Sequence, residues 1–140
     1  MSNQVYNSFK RDTMFGSINL SADTLKVILV TSAYVPDIDN HSKYGDITNE
    51  VIGAGYTTSG STLAGVTIIN DADSDRYILD ANDVTWPSST ITAAGAIIYK
   101  ENISPSESPL IGYIDFGSSK SSSNGDFVIQ WNTSGILSLQ

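Results

Sequence analysis

From Tyr56 onward the chain is cut into short β-prone runs by clusters of turn-forming residues, and this spacing is the strongest constraint on its fold. The runs are Leu63 to Ile69, Arg76 to Leu79, Val84 to Trp86, Ile91 to Tyr99, Leu110 to Phe116, Phe127 to Trp131 and Gly135 to Leu139. Between them stand Asn-Asp-Ala-Asp at 70–73, Pro-Ser-Ser at 87–89, a Ser/Pro stretch at 104–109 and a Ser-rich stretch at 117–125, all compositions that favour turns. Alternation supports the reading, since Phe127, Ile129 and Trp131 fall on one face of an extended strand. Upstream, Leu25 to Ser32 carries Val27 and Leu29 on one side and Ile28 and Val30 on the other. A strand apolar on both faces belongs in the middle of a sheet. The count comes to about eight short strands, the number of a sandwich or barrel. The expected fold is therefore all-β: a single domain over 1–140, built as a β-sandwich or barrel, with a short N-terminal helix or arm over 1–16.

Within that arm the spacing predicts a helix over residues 4–15, with Val5, Phe9 and Met14 on one face, Lys10, Arg11 and Asp12 facing outward, and Gly16 ending it. Residues 33–55 are polar and turn-rich, too long for a tight hairpin, and read as a long ordered loop with one helical turn near Tyr44 to Glu50. The slim run Ala93-Ala-Gly-Ala96 suits close approach by a Trp or Tyr from a facing sheet. The Ser-rich stretch Gly117 to Gly125 reads as the most mobile loop.

A chain of 140 residues buries roughly two-thirds of its unfolded surface, enough for a core without staples. Seven Lys plus Arg against fifteen Asp plus Glu give a net charge of -8, which opposes binding to phosphate backbones or anionic membranes. Neither nucleic acid nor membrane is an expected partner. No segment has the order of a signal peptide or the length of a membrane span, so the expectation is a soluble protein made in the cytoplasm of its host.

Chemistry-bearing residues are scarce: there is no Cys and one His, His41. Asp71, Asp73 and Asp75 are spaced like the first three ligands of a calcium loop. Arg76 then occupies the place of the turn glycine and Asn82 the place of the bidentate Glu, so an acidic hairpin turn is the preferred reading. His41 has Asp37, Asp39 and Asp46 nearby but no nucleophile elbow. Asp115 is the one acid in a strongly apolar run and reads as solvent-facing beside Tyr113. Gly53 to Gly60 looks like a phosphate loop but lacks its Lys and its following helix, and reads as turns. No enzyme activity and no cofactor are expected. Tyr6, Phe9, Arg11, Tyr34, Asp37 and Tyr44, in the arm and the long loop, are the expected interface residues, because loops carried on a rigid sandwich usually hold the binding function.

Several blocks stand in a telling order: Asn3–Asp12, Asp23–Ser32, Asp46–Val51, Gly53–Tyr56, Asp83–Trp86, Thr90–Gly95, Leu110–Gly117 and Trp131–Leu137. Together they resemble, across essentially the whole chain, a family of small proteins encoded among the structural genes of tailed bacteriophages and prophages. The resemblance implies a virion structural protein, foremost a capsid decoration (cement) protein on the outer head surface. A tail, neck or head-to-tail completion protein is the alternative, and a receptor- or carbohydrate-binding knob a third reading. Its expected partners are the major capsid protein and further copies of itself, as a homo-oligomer such as a trimer at threefold positions.

Overall fold

A computed structural model describes residues 2–139, and in them the chain forms β1 (Ser2–Val5), α1 (Asn7–Phe15), β2 (Leu25–Val30), β3 (Ser61–Thr62), β4 (Thr67–Asp71) and β5 (Arg76–Asp80). It continues through β6 (Val84–Ser89), β7 (Thr92–Lys100), β8 (Leu110–Ser121), β9 (Gly125–Ile129) and β10 (Leu137–Leu139), with single 3-10 turns at Tyr44–Asp46 and Pro105–Glu107. All pairings are antiparallel, in a five-stranded sheet ordered β1-β8-β7-β2-β3, a three-stranded sheet β10-β5-β4 and the pair β6-β9. The fold is all-β and sandwich-like, and its sheets do not close into a barrel.

Strand β2 sits inside the large sheet as its two apolar faces require. Val27 and Leu29 join one core with Ala96, Ile98 and Ile114, against which the two smaller sheets pack Leu79, Leu137, Trp86, Phe127 and Trp131. Ile28 and Val30 join a second core on the opposite face with Ile97, Tyr99, Leu110 and Tyr113, roofed by Tyr34, Ile38, Tyr44 and Ile47 from the long loop. The sheet is thus a middle layer, with the small sheets on one side and the ordered loop on the other. The helical turn expected near Tyr44 is present at Tyr44–Asp46.

The structure corrects several expectations. The helix begins at Asn7, because Ser2–Val5 instead adds an edge strand to β8, pairing Ser2 with Asp115 and Val5 with Gly112. Gly16 ends the helix as expected, its N–H bonded to the carbonyls of Asp12 and Thr13. The buried stripe is Ser8, Phe9 and Asp12, the last held by Arg11 Nε at 3.0 Å, whereas Met14 is 87% exposed. Of the run Leu63 to Ile69 only Thr67–Ile69 is strand, as the first part of β4, while residues 63–66 lead from β3 (Ser61–Thr62) on the large sheet to β4 on the small one. The Ser-rich stretch is largely strand: β8 runs on to Ser121 because Thr92 and Ala93 offer a pairing edge, with Thr92 and Ser121 hydroxyls 2.7 Å apart. An aromatic ring does lie against Gly95, where an added Cβ would stand 2.8 Å from Tyr113, but that ring comes from the neighbouring strand of the same sheet. Tyr113 is accordingly buried, not solvent-facing. Finally, the Asn3 side-chain amide donates to the carbonyl of Ile136, fastening the first strand beside the last.

Candidate interface

Three of the six expected interface residues are interior. Tyr6, Phe9 and Tyr34 are 0%, 2% and 4% exposed, because the presumed arm is an integral strand and helix and the long loop is a roof over the second core. The Tyr6 hydroxyl hydrogen bonds to the Tyr34 hydroxyl at 2.8 Å, and Tyr34 to His41 Nδ1 at 2.9 Å, stitching arm, roof and sheet together. Of the others, Arg11 is exposed and engages Asp12. Asp37 accepts from the side chain and backbone N–H of Asn40, in that order the main causes of a carboxyl pKa below the ordinary value. Tyr44 is half-buried and donates to Glu50.

Glu50 is the pivot of the roof. One carboxylate oxygen accepts from Tyr44; the other accepts from the Tyr56 hydroxyl at 2.5 Å and from the Ser59 N–H at 3.0 Å. Tyr56 in turn accepts the Leu29 N–H at 3.1 Å, a role that a neighbouring strand's carbonyl would otherwise fill. Around it, the Thr31 N–H donates to the Asn49 carbonyl and the Val51 N–H to the Leu29 carbonyl, so the outer edge of β2 is closed by loop residues where β3 does not reach.

This arrangement fixes how the protein responds to base. Burial, and next the hydrogen bond to Glu50, push the Tyr44 hydroxyl from 10.0 up to about 12. Burial is also the leading cause that raises Tyr6, Tyr34, Tyr56, Tyr99 and Tyr113. These phenols are more acidic unfolded than folded. The stability they confer is therefore fully present below pH 10 and lost as the pH climbs toward 12. Tyrosinate absorbance should rise together with loss of the circular dichroism signal; ionisation of most tyrosines near pH 10 in a still-folded chain would contradict this.

Asp71 is held by Arg76 Nε at 2.9 Å at the end of β4, and Asp73 and Asp75 lie in the turn that joins β4 to β5; among the described residues no group of three or more His, Asp or Glu is placed to hold a metal. His41 faces Tyr34 and the Asp37 N–H, with no serine hydroxyl hydrogen-bonded to its ring among the described residues. The Asp115 carboxylate accepts the Gly117 N–H where Gly117 takes a positive φ and the β7–β8 register shifts. Gly53, Gly55 and Gly60 press against the backbones of Thr90, Ser89 and Val27, which is packing and not an anion cradle.

What the residue-by-residue reading missed is an apolar surface where the three-stranded sheet overhangs α1. Leu79 and Leu137 anchor that sheet in the core, and the same face continues outward as Ile68, Tyr77 and Leu139, 40%, 57% and 37% exposed. With Val5, Phe9, Leu20 and Ile111 they line a cleft of about 90 Å³ that is almost wholly apolar. Phe9, Leu20, Ile68 and Leu139 also border a wider depression reaching Gly16, beside the exposed Met14 and Phe15. On a protein of net charge -8, the lining of this surface carries no charged side chain. Its sequence signal was present as apolar residues 68, 77 and 139, but alternation assigns them to the core without saying that the sheet outruns what covers it. Comparison of the chain with family models, with curated proteins and with solved structures returns no match.

Proposed function

We propose that this chain is a virion structural protein of a tailed bacteriophage, and within that class a capsid decoration protein seated on the outer surface of the assembled head. The observation that carries the proposal beyond sequence resemblance is the apolar face of Ile68, Tyr77 and Leu139 on a body of net charge -8. Such a pairing favours burial against a protein surface and disfavours DNA. The contact is carried by this rigid face and not by a clasping arm, because the N-terminal segment is already committed to the sheet. A two-core body roofed by a hydrogen-bonded loop holds its face in one conformation, so little ordering entropy is lost on docking. Repeated over many equivalent positions, individually weak contacts close the seams between shell subunits.

The test is the copy number of this chain relative to the major capsid protein, by quantitative mass spectrometry of heads and tails separated after virion disruption. A simple ratio to the capsid subunit in the head fraction is the expected result. A few ring-multiples of the chain in the neck or tail fraction would replace decoration with a head-to-tail completion role, and absence from virions would remove the virion reading altogether.

A further inference from the structure

We infer that strand β4 is a pairing edge for a second copy of this chain, forming an antiparallel β4–β4 contact across a twofold axis centred on Ile69. The inference is independent of the virion reading. It begins with the backbone: β4 pairs with β5 on one side, Thr67 with Asp80 through Asp71 with Arg76 without a bulge, and among the described residues has no strand on the other. An open edge of this kind presents unpaired N–H and C=O groups, which folded proteins usually blunt with Lys, Pro, a bulge or a covering loop. The opposite edge of the same sheet, at β10, is approached by β1 through the Asn3–Ile136 hydrogen bond, and the outer edge of β2 is closed by β3, Tyr56 and the Glu50 segment. None of the blunting devices is present over Thr67-Ile-Ile-Asn-Asp71, and both isoleucines are exposed, Ile69 by 46%.

The sequence of the strand selects a second copy as the occupant. About a twofold at Ile69, each Ile69 meets its own counterpart, Ile68 meets Asn70 of the second copy, and Thr67 meets Asp71 of the second copy. No like charges oppose one another, and the one charged residue, Asp71, is already bonded to Arg76. Elsewhere a chain of net charge -8 repels its own copies, so a self-complementary strand whose one carboxylate is already paired marks where association is least opposed. Pairing makes a six-stranded sheet and joins the apolar faces around Ile68 and Tyr77 of the two copies. The contact is isologous and closes on itself, so it yields a dimer and not a filament.

The absence of cysteine makes the test clean. In Ile69→Cys the two thiols would face each other directly, within disulfide reach, whereas in Asn70→Cys they would be diagonal and roughly 7–8 Å apart. Diamide oxidation is expected to cross-link Ile69→Cys at least about tenfold faster than Asn70→Cys. Five paired residues make a small interface, so sedimentation of the wild-type chain should be followed up to about 1 mM, where a dimer is expected and Ile69→Lys should be monomeric with an unchanged melting curve. Faster cross-linking at Asn70 would overturn the register. A wild-type chain that stays monomeric throughout, or that forms trimers with no cross-linking preference at Ile69, would overturn the pairing itself.

Discussion

Gly60→Ala is expected to destabilise the protein by about 4 kcal/mol, a large share of the roughly 5–15 kcal/mol by which a domain is typically stable. Gly60 has φ +76, and a Cβ built there would stand 1.9 Å from the carbonyl oxygen of Val27 and 3.0 Å from the Cα of Ile28. Both contacts are to the backbone of β2, which is buried between two cores and cannot yield. Gly117→Ala supplies the control, since it has φ +84 but nothing within 4 Å of the added carbon. It should cost only the left-handed penalty of about 1–2 kcal/mol. Denaturant unfolding of the two variants separates conformational from steric cost, and equal losses would show that the approach of Gly60 to β2 does not matter.

The second large effect lies at Glu50. Glu50→Ala should destabilise by about 3 kcal/mol, because it strands two tyrosine hydroxyls and the Ser59 N–H that now share the carboxylate. For a chain of this length that is a fall in melting temperature of about 10 °C. Tyr56→Phe should cost less overall, yet it removes the acceptor of the Leu29 N–H directly. Hydrogen exchange at Leu29 should therefore accelerate strongly in Tyr56→Phe, and to a smaller extent in Glu50→Ala, where Tyr56 loses its anchor but remains. An Ala variant that melts with the wild type would show that solvent replaces the carboxylate at no cost.

The all-β architecture was legible because it rests on local signals. Alternation in Phe127-Val-Ile-Gln-Trp131 and two-sided apolarity in Leu25–Val30 report how a strand must sit, whatever its partners. Partnering itself is not local. Residues 2–5 read as the start of a helix because the spacing of Val5 and Phe9 permits it, and the competing offer, the free edge of β8 more than 100 residues away, has no trace in their neighbourhood. Tyr6, Phe9 and Tyr34 prove interior for a related reason. Tyr6 and Tyr34 lie in segments that look like appendages, and only the pairing of arm and roof over one sheet face makes them interior. The exposed apolar face escaped notice because residues 68, 77 and 139 carry the pattern of core strands, and whether a core strand is covered depends on where its sheet ends.

The fastening of β1 beside β10 sets an order of events during synthesis. Residues 2–5 are synthesised long before their partners in β8, residues 112–115, and Asn3 meets Ile136 only after the chain between them has been made. The large sheet cannot acquire its edge, nor Tyr6 its burial, until β8 has been made. Closing so distant a contact also carries a high entropic barrier. The nascent protein therefore waits with its apolar strands unsealed, and the net charge of -8 keeps neighbouring chains apart during that interval.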